Sequence, residues 1–460
     1  MDTRRSRTQS RFAARWIALV LAVLAVPVTT LCQEAQDVKA AESAQGNDQA
    51  PTNAPPTLTL QDALQRAKAN SPQFQAALTE LGLAREDHVQ SRAGMLPNAS
   101  YTTQFLYTQG NGSPAGRYVA NNGVHEYLAQ GNVHQVLSPA TIAEYRRAGA
   151  AEAVARARSE IAARGLVVTV VQSYYGHVVA QRKYATAQQA AGEAARFLRI
   201  SQKLEKGGEV AHADVVKAQI QYQQQQRDLR EAQLEMSKSR LELAVLLFAD
   251  FNENFSVVDD LRLPEPLPAF EEVLTAGTRN NPELRAALAA LKESEQEVQV
   301  AWAGLLPSVS LDYFYGIDAN QFATRDRQGF RNLGYSASAT LQLPVWNWGA
   351  NRSKIKQADL RRKQAQVELS FAQRELLANL RSFYNEVQTA RSELELLSQS
   401  AEMAAESLRL TTLRYQAGEA TVLEVVDAQN TLTQARNGYD DGQARFRVAQ
   451  ANLQTLTGNL

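Results

Sequence analysis

Residues able to do acid–base, nucleophilic or metal chemistry are few and scattered along this chain. Five histidines (His88, His125, His134, His177 and His212) share no spacing that would gather ligands around a metal. The only cysteine, Cys32, leaves no disulfide framework and no cysteine metal site. Gly207-Gly208 is not a phosphate loop, because neither a strand nor a Gly-Lys-Ser/Thr sequence follows it. No catalytic residue, metal or cofactor is expected, and the enzyme reading has no polar cluster to rest on. Lys+Arg and Asp+Glu balance at 48 each, so no global field recruits nucleic acid or an anionic membrane.

Polar, Ala- and Gln-rich composition with sparse aromatics suits long helices with narrow apolar seams. The first thirty residues differ. Arg4, Arg5, Arg7, Arg11 and Arg15 form a basic region, Trp16–Val28 is apolar, and Thr30 and Cys32 offer a cleavage point. We read 1–32 as a signal peptide and 33–57 as a disordered, Pro-containing linker. Cys32, at the signal end, is a lipidation candidate, although Leu31 before it is larger than such sites favour. No later stretch is long and apolar enough to span a bilayer as a helix.

The chain repeats itself. Ala69-Asn70-Ser71-Pro72 returns as Arg279-Asn280-Asn281-Pro282, and Gly94-Met95-Leu96-Pro97 as Gly304-Leu305-Leu306-Pro307. Asp214-Val215-Val216-Lys217-Ala218-Gln219 returns as Glu424-Val425-Val426-Asp427-Ala428-Gln429, and every pair is offset by 210. The halves, 58–248 and 268–460, flank a linker at 249–267. Each is expected to run helix, two strands, long helix, turn, helix.

In the second half Leu376, Leu380, Phe383, Val387, Ala390, Leu394, Leu397, Ala401, Ala404 and Leu408 fall at strict 4,3 spacing. Such a heptad seam demands a partner helix, and the same rhythm from Val425 to Leu456 supplies one. Tyr415-Gln416-Ala417-Gly418 lies between them and reverses the chain. An equivalent seam runs from Leu166 to Leu198 through His177 and turns at Gly207-Gly208. A packed or tunnel-facing role for His177 follows, rather than ligation. Alanine at many seam positions buries little area per turn, so further hairpins must add lateral packing.

Between the helices the period switches to two. Leu311, Tyr313, Tyr315 and Ile317 alternate with polar residues, as do Tyr335, Ala337, Ala339, Leu341, Leu343 and Val345. Matching segments are 98–109 and 125–137, with solvated loops at 110–123 and 318–332. A soluble half-buried sheet gives the same alternation. Strand lengths of about ten residues and aromatic ends, Trp346 and Trp348 among them, favour tilted membrane strands. Four strands cannot close a barrel, and an eight-stranded barrel is filled by side chains, so a duct needs at least three copies.

These features together resemble the TolC-type outer membrane efflux family (outer membrane factors). Leu96-Pro97 and Leu306-Pro307 at helix-to-strand junctions carry the resemblance, with Pro139 and Pro344 at strand-to-helix junctions and the two hairpin tips. The strongest match is Arg414-Tyr415-Gln416-Ala417-Gly418 followed by Leu423-Glu424-Val425-Val426-Asp427-Ala428, and coverage is about 58–458. The resemblance implies a mainly α protein with a membrane β-barrel, four strands per chain forming a twelve-stranded barrel in a homotrimer. A coiled-coil α-barrel would extend below it as a periplasmic tunnel. It further implies a passive, gated exit duct in outer-membrane lipid, driven by an inner-membrane pump through a periplasmic adaptor (membrane fusion protein).

Family members close the periplasmic tip with coiled coils tied by polar links and lined by acidic residues. On that pattern Asp214, Tyr415, Glu424 and Asp427 are gate residues, and Gly207, Gly208, Ala417 and Gly418 mark the adaptor-contact turns. The same four are also simply helix-reversing turns. Where members often carry a linking arginine two residues after the tip glycine, this chain has Ala420, which puts that link in doubt. The competing reading is a soluble periplasmic coiled-coil adaptor or scaffold, which would need no lipid-facing strands.

Overall fold

The structure, a computed structural model, describes residues 56–107, 125–261 and 267–458. The expected signal peptide with Cys32, the linker up to residue 55 and the loop at 110–123 lie outside the described residues. In the first half α1 (Leu60–Asn70) and α2 (Pro72–Ala93) lead into β2 (Asn98–Tyr107) and β3 (His125–Leu137). The hairpin of α3 (Pro139–Lys206) and α4 (His212–Leu247) follows. In the second half the order recurs as α5 (Phe270–Asn280), α6 (Pro282–Ala303), β5 (Ser308–Ala319), β6 (Leu333–Gln342), α7 (Ala350–Gln416) and α8 (Val422–Thr457). Two short strands, β1 (Thr57–Leu58) and β4 (Ser256–Val257), pair in parallel.

Two expectations need correction. The single opening helix of each half is two helices, broken at Ser71 and Asn281. Proline keeps the preceding residue extended, and Ser71 and Asn281 then cap the new helix by accepting from Phe74 N and Leu284 N. Strand β6 stops at Gln342, so Leu343 and Val345 lie beyond its ladder. Pro344 has no N–H to give a partner strand. Trp348 (φ 55) and Gly349 (φ 82) then take left-handed conformations that turn the chain into α7.

The helix α3 has 68 residues and α7 has 67, each about 100 Å long at ~1.5 Å per residue. Expected seam residues Val170, Leu198, Leu380, Leu408, Val425 and Leu453 are buried. Helices α6 and α8 lie between α3 and α7, packing on both, while α2 and α4 pack along α3. The layer keeps two open flanks. Leu83, Ile220 and Val245 are exposed on the α2 and α4 side, and Val367, Phe371, Leu396 and Met403 on α7.

Midway down, α3 clamps the start of the fold to the linker between repeats. The Tyr174 hydroxyl lies 3.1 Å from the Leu58 carbonyl and 2.7 Å from that of Val258. Arg182 reaches Asp259 on the linker (2.6 Å) and Asp440 on α8 (3.0 Å). Burial raises the Asp440 carboxyl above its usual range even though Arg182 pulls the other way.

Candidate functional site

The four long strands form one antiparallel sheet in the order β2-β3-β5-β6. Paired residues share a face and successive residues alternate, so the register sorts every side chain. Tyr101 opposes Gly131, which opposes Tyr315, which opposes Tyr335. Parallel rows add Phe105, Tyr127 and Ala319, then Val133, Tyr313 and Ala337. This face is almost wholly apolar. The other carries Ser100, Asn132 and Phe314 opposite Ser336, and Asn98, His134 and Asp312 opposite Ser338. On that polar face His134 Nδ1 lies 2.7 Å from Asp312 Oδ1. Strands β2 and β6 are unpaired at the sheet edges, and Gly316 is required inside it. A Cβ there would collide with the Ala129 carbonyl oxygen.

At the far end of the helices the two hairpin turns share one backbone design. Glu209 N donates to Leu204 O (2.9 Å) and Glu419 N to Arg414 O (2.8 Å), with Gly208 and Gly418 both at φ 78. This is the left-handed closure that favours glycine after a helix. Gly207 and Ala417, one residue earlier in each turn, remain right-handed.

The gate candidates separate into distinct environments. Tyr415 is 3 % exposed, its ring 5.0 Å from that of Phe197 and its hydroxyl 3.1 Å from Ser201 Oγ. The structure therefore ties Tyr415 on α7 to Ser201 on α3. Asp214 sits in the first turn of α4, with Lys217 Nζ at 3.5 Å. Glu424 closes a capping box with Thr421, whose hydrogen bonds hold its carboxyl below the ordinary range. Asp427, one turn further along α8, is exposed.

Sequence reasoning gave Arg414, Ser201 and Gln221 no role. Arg414 Nη2 donates to the Glu419 carbonyl (3.1 Å) and Nη1 lies 3.5 Å from Glu424, bracing the turn that Ala420 leaves without an arginine. Gln221 on α4 donates to Asn430 Oδ1 on α8 at 3.0 Å. Ser201 is fully buried and continues the 4,3 seam one step past Leu198, a usable signal that a polar partner was required.

The histidines each find a local partner: His88 meets Glu152, His212 meets Glu205, and His177 packs in the α3 seam at 2 % exposure. Among the described residues no group of three or more His, Cys, Asp or Glu is arranged to hold a metal ion.

Comparison with known proteins bears on the whole fold. The family model described as outer membrane efflux protein matches residues 63–247 and again 276–459, once per repeat. The chain is 23% identical over 413 residues to the outer membrane protein TolC of Vibrio cholerae, covering 87% of this chain and 91% of that one. It is 26% identical over 400 residues to the cobalt-zinc-cadmium resistance protein CzcC of Cupriavidus metallidurans, covering 85% and 87%. The fold matches the CmeC outer membrane channel of Campylobacter jejuni with a TM-score of 0.75 at 17% identity, over 87% of this chain and 85% of that one.

Proposed function

The chain belongs to the outer membrane efflux protein family, a family of outer-membrane channels and not of enzymes, and on that premise we propose that it is the passive, gated exit duct of a tripartite efflux or secretion system. Its barrel would be built by a homotrimer, with a periplasmic adaptor at the helical tip and an inner-membrane pump supplying the energy. The observation that carries this reading is the two-faced sheet with two bare edges. Unpaired edges and an apolar face are untenable together in lipid unless the sheet closes. Edge β6 runs antiparallel to edge β2, so each copy can pair with the next, and three copies give twelve strands. The apolar flanks of the helical layer, α2 with α4 on one side and α7 on the other, can meet around the same ring.

Gating then belongs at the tip. The Ser201–Tyr415 and Gln221–Asn430 bonds tie one hairpin to the other, and parting the hairpins breaks both. Asp214, Glu424 and Asp427 would supply the acidic lining, and the turns at Gly207, Gly208, Ala417 and Gly418 the surface an adaptor touches. The test is reconstitution of the purified protein into planar bilayers. A heat-modifiable, detergent-requiring oligomer with discrete conductance steps is expected, and Tyr415→Phe should lengthen openings. A protein released by salt or osmotic shock would instead be the soluble adaptor. Openings unchanged in both Tyr415→Phe and Gln221→Ala would move the gate elsewhere.

A further inference from the structure

The loop between β5 and β6, at the end of the sheet opposite the helices, is folded on itself. Asp326 Oδ1 accepts from Gln328 N (2.9 Å) and Phe330 N (2.8 Å), and Asp326 N donates to the Phe330 carbonyl (2.9 Å). Arg325 bridges Arg331 across the loop, and Gly329 at φ 86 makes the reversal. Asp326 is the only carboxylate between residues 320 and 332, and it is engaged by this backbone. Arg325, Arg327 and Arg331 are exposed.

The loop also carries two exposed aromatic rings, Phe322 (66%) and Phe330 (68%). Phe322 lies 6.3 Å from the ring of Tyr127, a residue of the apolar sheet face. Phe105, Tyr107 and His125 continue that aromatic cluster across the same end of the face. Register puts the nearby acids Glu126 and Asp318 on the opposite, polar face. The Phe322 ring therefore lies on the apolar side of the sheet, and the same loop carries the three arginines.

We propose that Arg325, Arg327 and Arg331 bind the phosphates of a phosphorylated lipid headgroup in the outer leaflet, with Phe322 and Phe330 seated among the adjoining acyl chains. A guanidinium matches phosphate oxygens two at a time, and aromatic rings settle at the boundary between headgroup and hydrocarbon. This rests on the reading that the apolar face is the lipid face.

The experiment uses the full-length protein and two vesicle types, phosphatidylcholine alone and phosphatidylcholine doped with a diphosphorylated glycolipid. Wild type should form heat-modifiable oligomers in both and associate more tightly with the doped vesicles. The variant R325Q/R327Q/R331Q should lose that preference by on the order of tenfold or more while its oligomer is unchanged. The variant R325K/R327K/R331K should keep part of it, and raised salt should weaken the wild-type preference. Equal preference in wild type and the glutamine variant overturns the proposal. So does full competition by inorganic phosphate at matched ionic strength, or a changed ion selectivity with unchanged lipid association, which would place the arginines at the pore mouth. Failure of wild type to insert into phosphatidylcholine alone would sink the channel reading instead.

Discussion

Positions 177 and 387 occupy the same place on the long helix of each hairpin, yet one is histidine and the other valine. Both are almost fully buried, at 2 % and 1 % exposure. His177 Nδ1 lies 2.9 Å from Ser239 Oγ, and Gln181 Nε2 approaches its other ring nitrogen at 3.0 Å. Val387 shares its apolar cluster with Ala449, the repeat-equivalent of Ser239. Size is exchanged in the same manner nearby: Ala67 and Val170 in one core correspond to Gly277 and Leu380 in the other, where a Cβ on Gly277 would meet both Leu380 δ carbons at 2.8 Å. At these positions one backbone plan thus accepts different chemistry, with volume nearly conserved and the buried imidazole given partners.

The largest expected effect tests the volume half of that statement. Leu380→Ala should destabilise the second hairpin by about 3 kcal/mol through lost burial plus a cavity, read from denaturant unfolding of the solubilised oligomer. Val170→Ala, at the equivalent site, removes fewer atoms and should cost about half as much. Equal losses would mean that the two cores do not divide volume as described.

Next comes the polar half. Because the Ser239 hydroxyl donates to the Met236 carbonyl (3.0 Å), it accepts from the His177 Nδ1–H. Ser239→Ala should strand that buried donor and cost about 2 kcal/mol. The double variant H177V/S239A, which copies the second hairpin, should recover most of the loss. If the double is worse than the single, the pair contributes more than mutual satisfaction.

The same pair fixes a pH response. Burial, reinforced by Arg240, lowers His177 to about 4 from an ordinary value near 6.5. Between those values the unfolded chain binds the proton and the folded chain does not, so stability is present above about pH 6.5 and declines as pH falls towards 4. Unfolding midpoints at about pH 7 and pH 5 should therefore differ more for wild type than for H177V/S239A. Identical differences would remove His177 as the cause.

Much of the architecture was legible because a constant offset and a heptad rhythm leave few alternatives. The break at Ser71 stands in the sequence as a capping serine followed by Pro72, although the helical pattern runs on across it and masks the two separate helices. Strand β6 is shorter than its alternation suggests, because the period continues through Leu343 and Val345 while Pro344 ends the ladder. At the tip, Tyr415 was marked by its motif, but its partner Ser201 depends on how α3 meets α7, which periodicity along one helix does not encode. Arg414 belongs to the same motif, but its reach to Glu419 and Glu424 exists only once the turn has folded.

The smallest effects separate the two tips. Thr421 caps α8 by accepting from Glu424 N (3.3 Å), while the Glu424 carboxylate accepts from Thr421 N (3.0 Å). The equivalent Ala211 gives α4 no side-chain cap, and the side-chain contact across that turn is His212 to Glu205 (2.7 Å). Thr421→Ala should therefore cost about 1 kcal/mol. Ala211→Thr should stabilise by a smaller amount, roughly 0.5 kcal/mol, because Asp214 already stands at the third helical position and could close the box as Asp62 does with Thr59. That change has a second readout. A box carboxylate is turned back toward the backbone and away from the opening, so Ala211→Thr should also reduce cation preference in single-channel recordings if Asp214 lines the gate. A more stable tip with unaltered selectivity would keep the cap argument and remove Asp214 from the gate. A less stable tip would mean that the unfilled cap at Ala211 is held open by packing rather than by the absence of a hydroxyl.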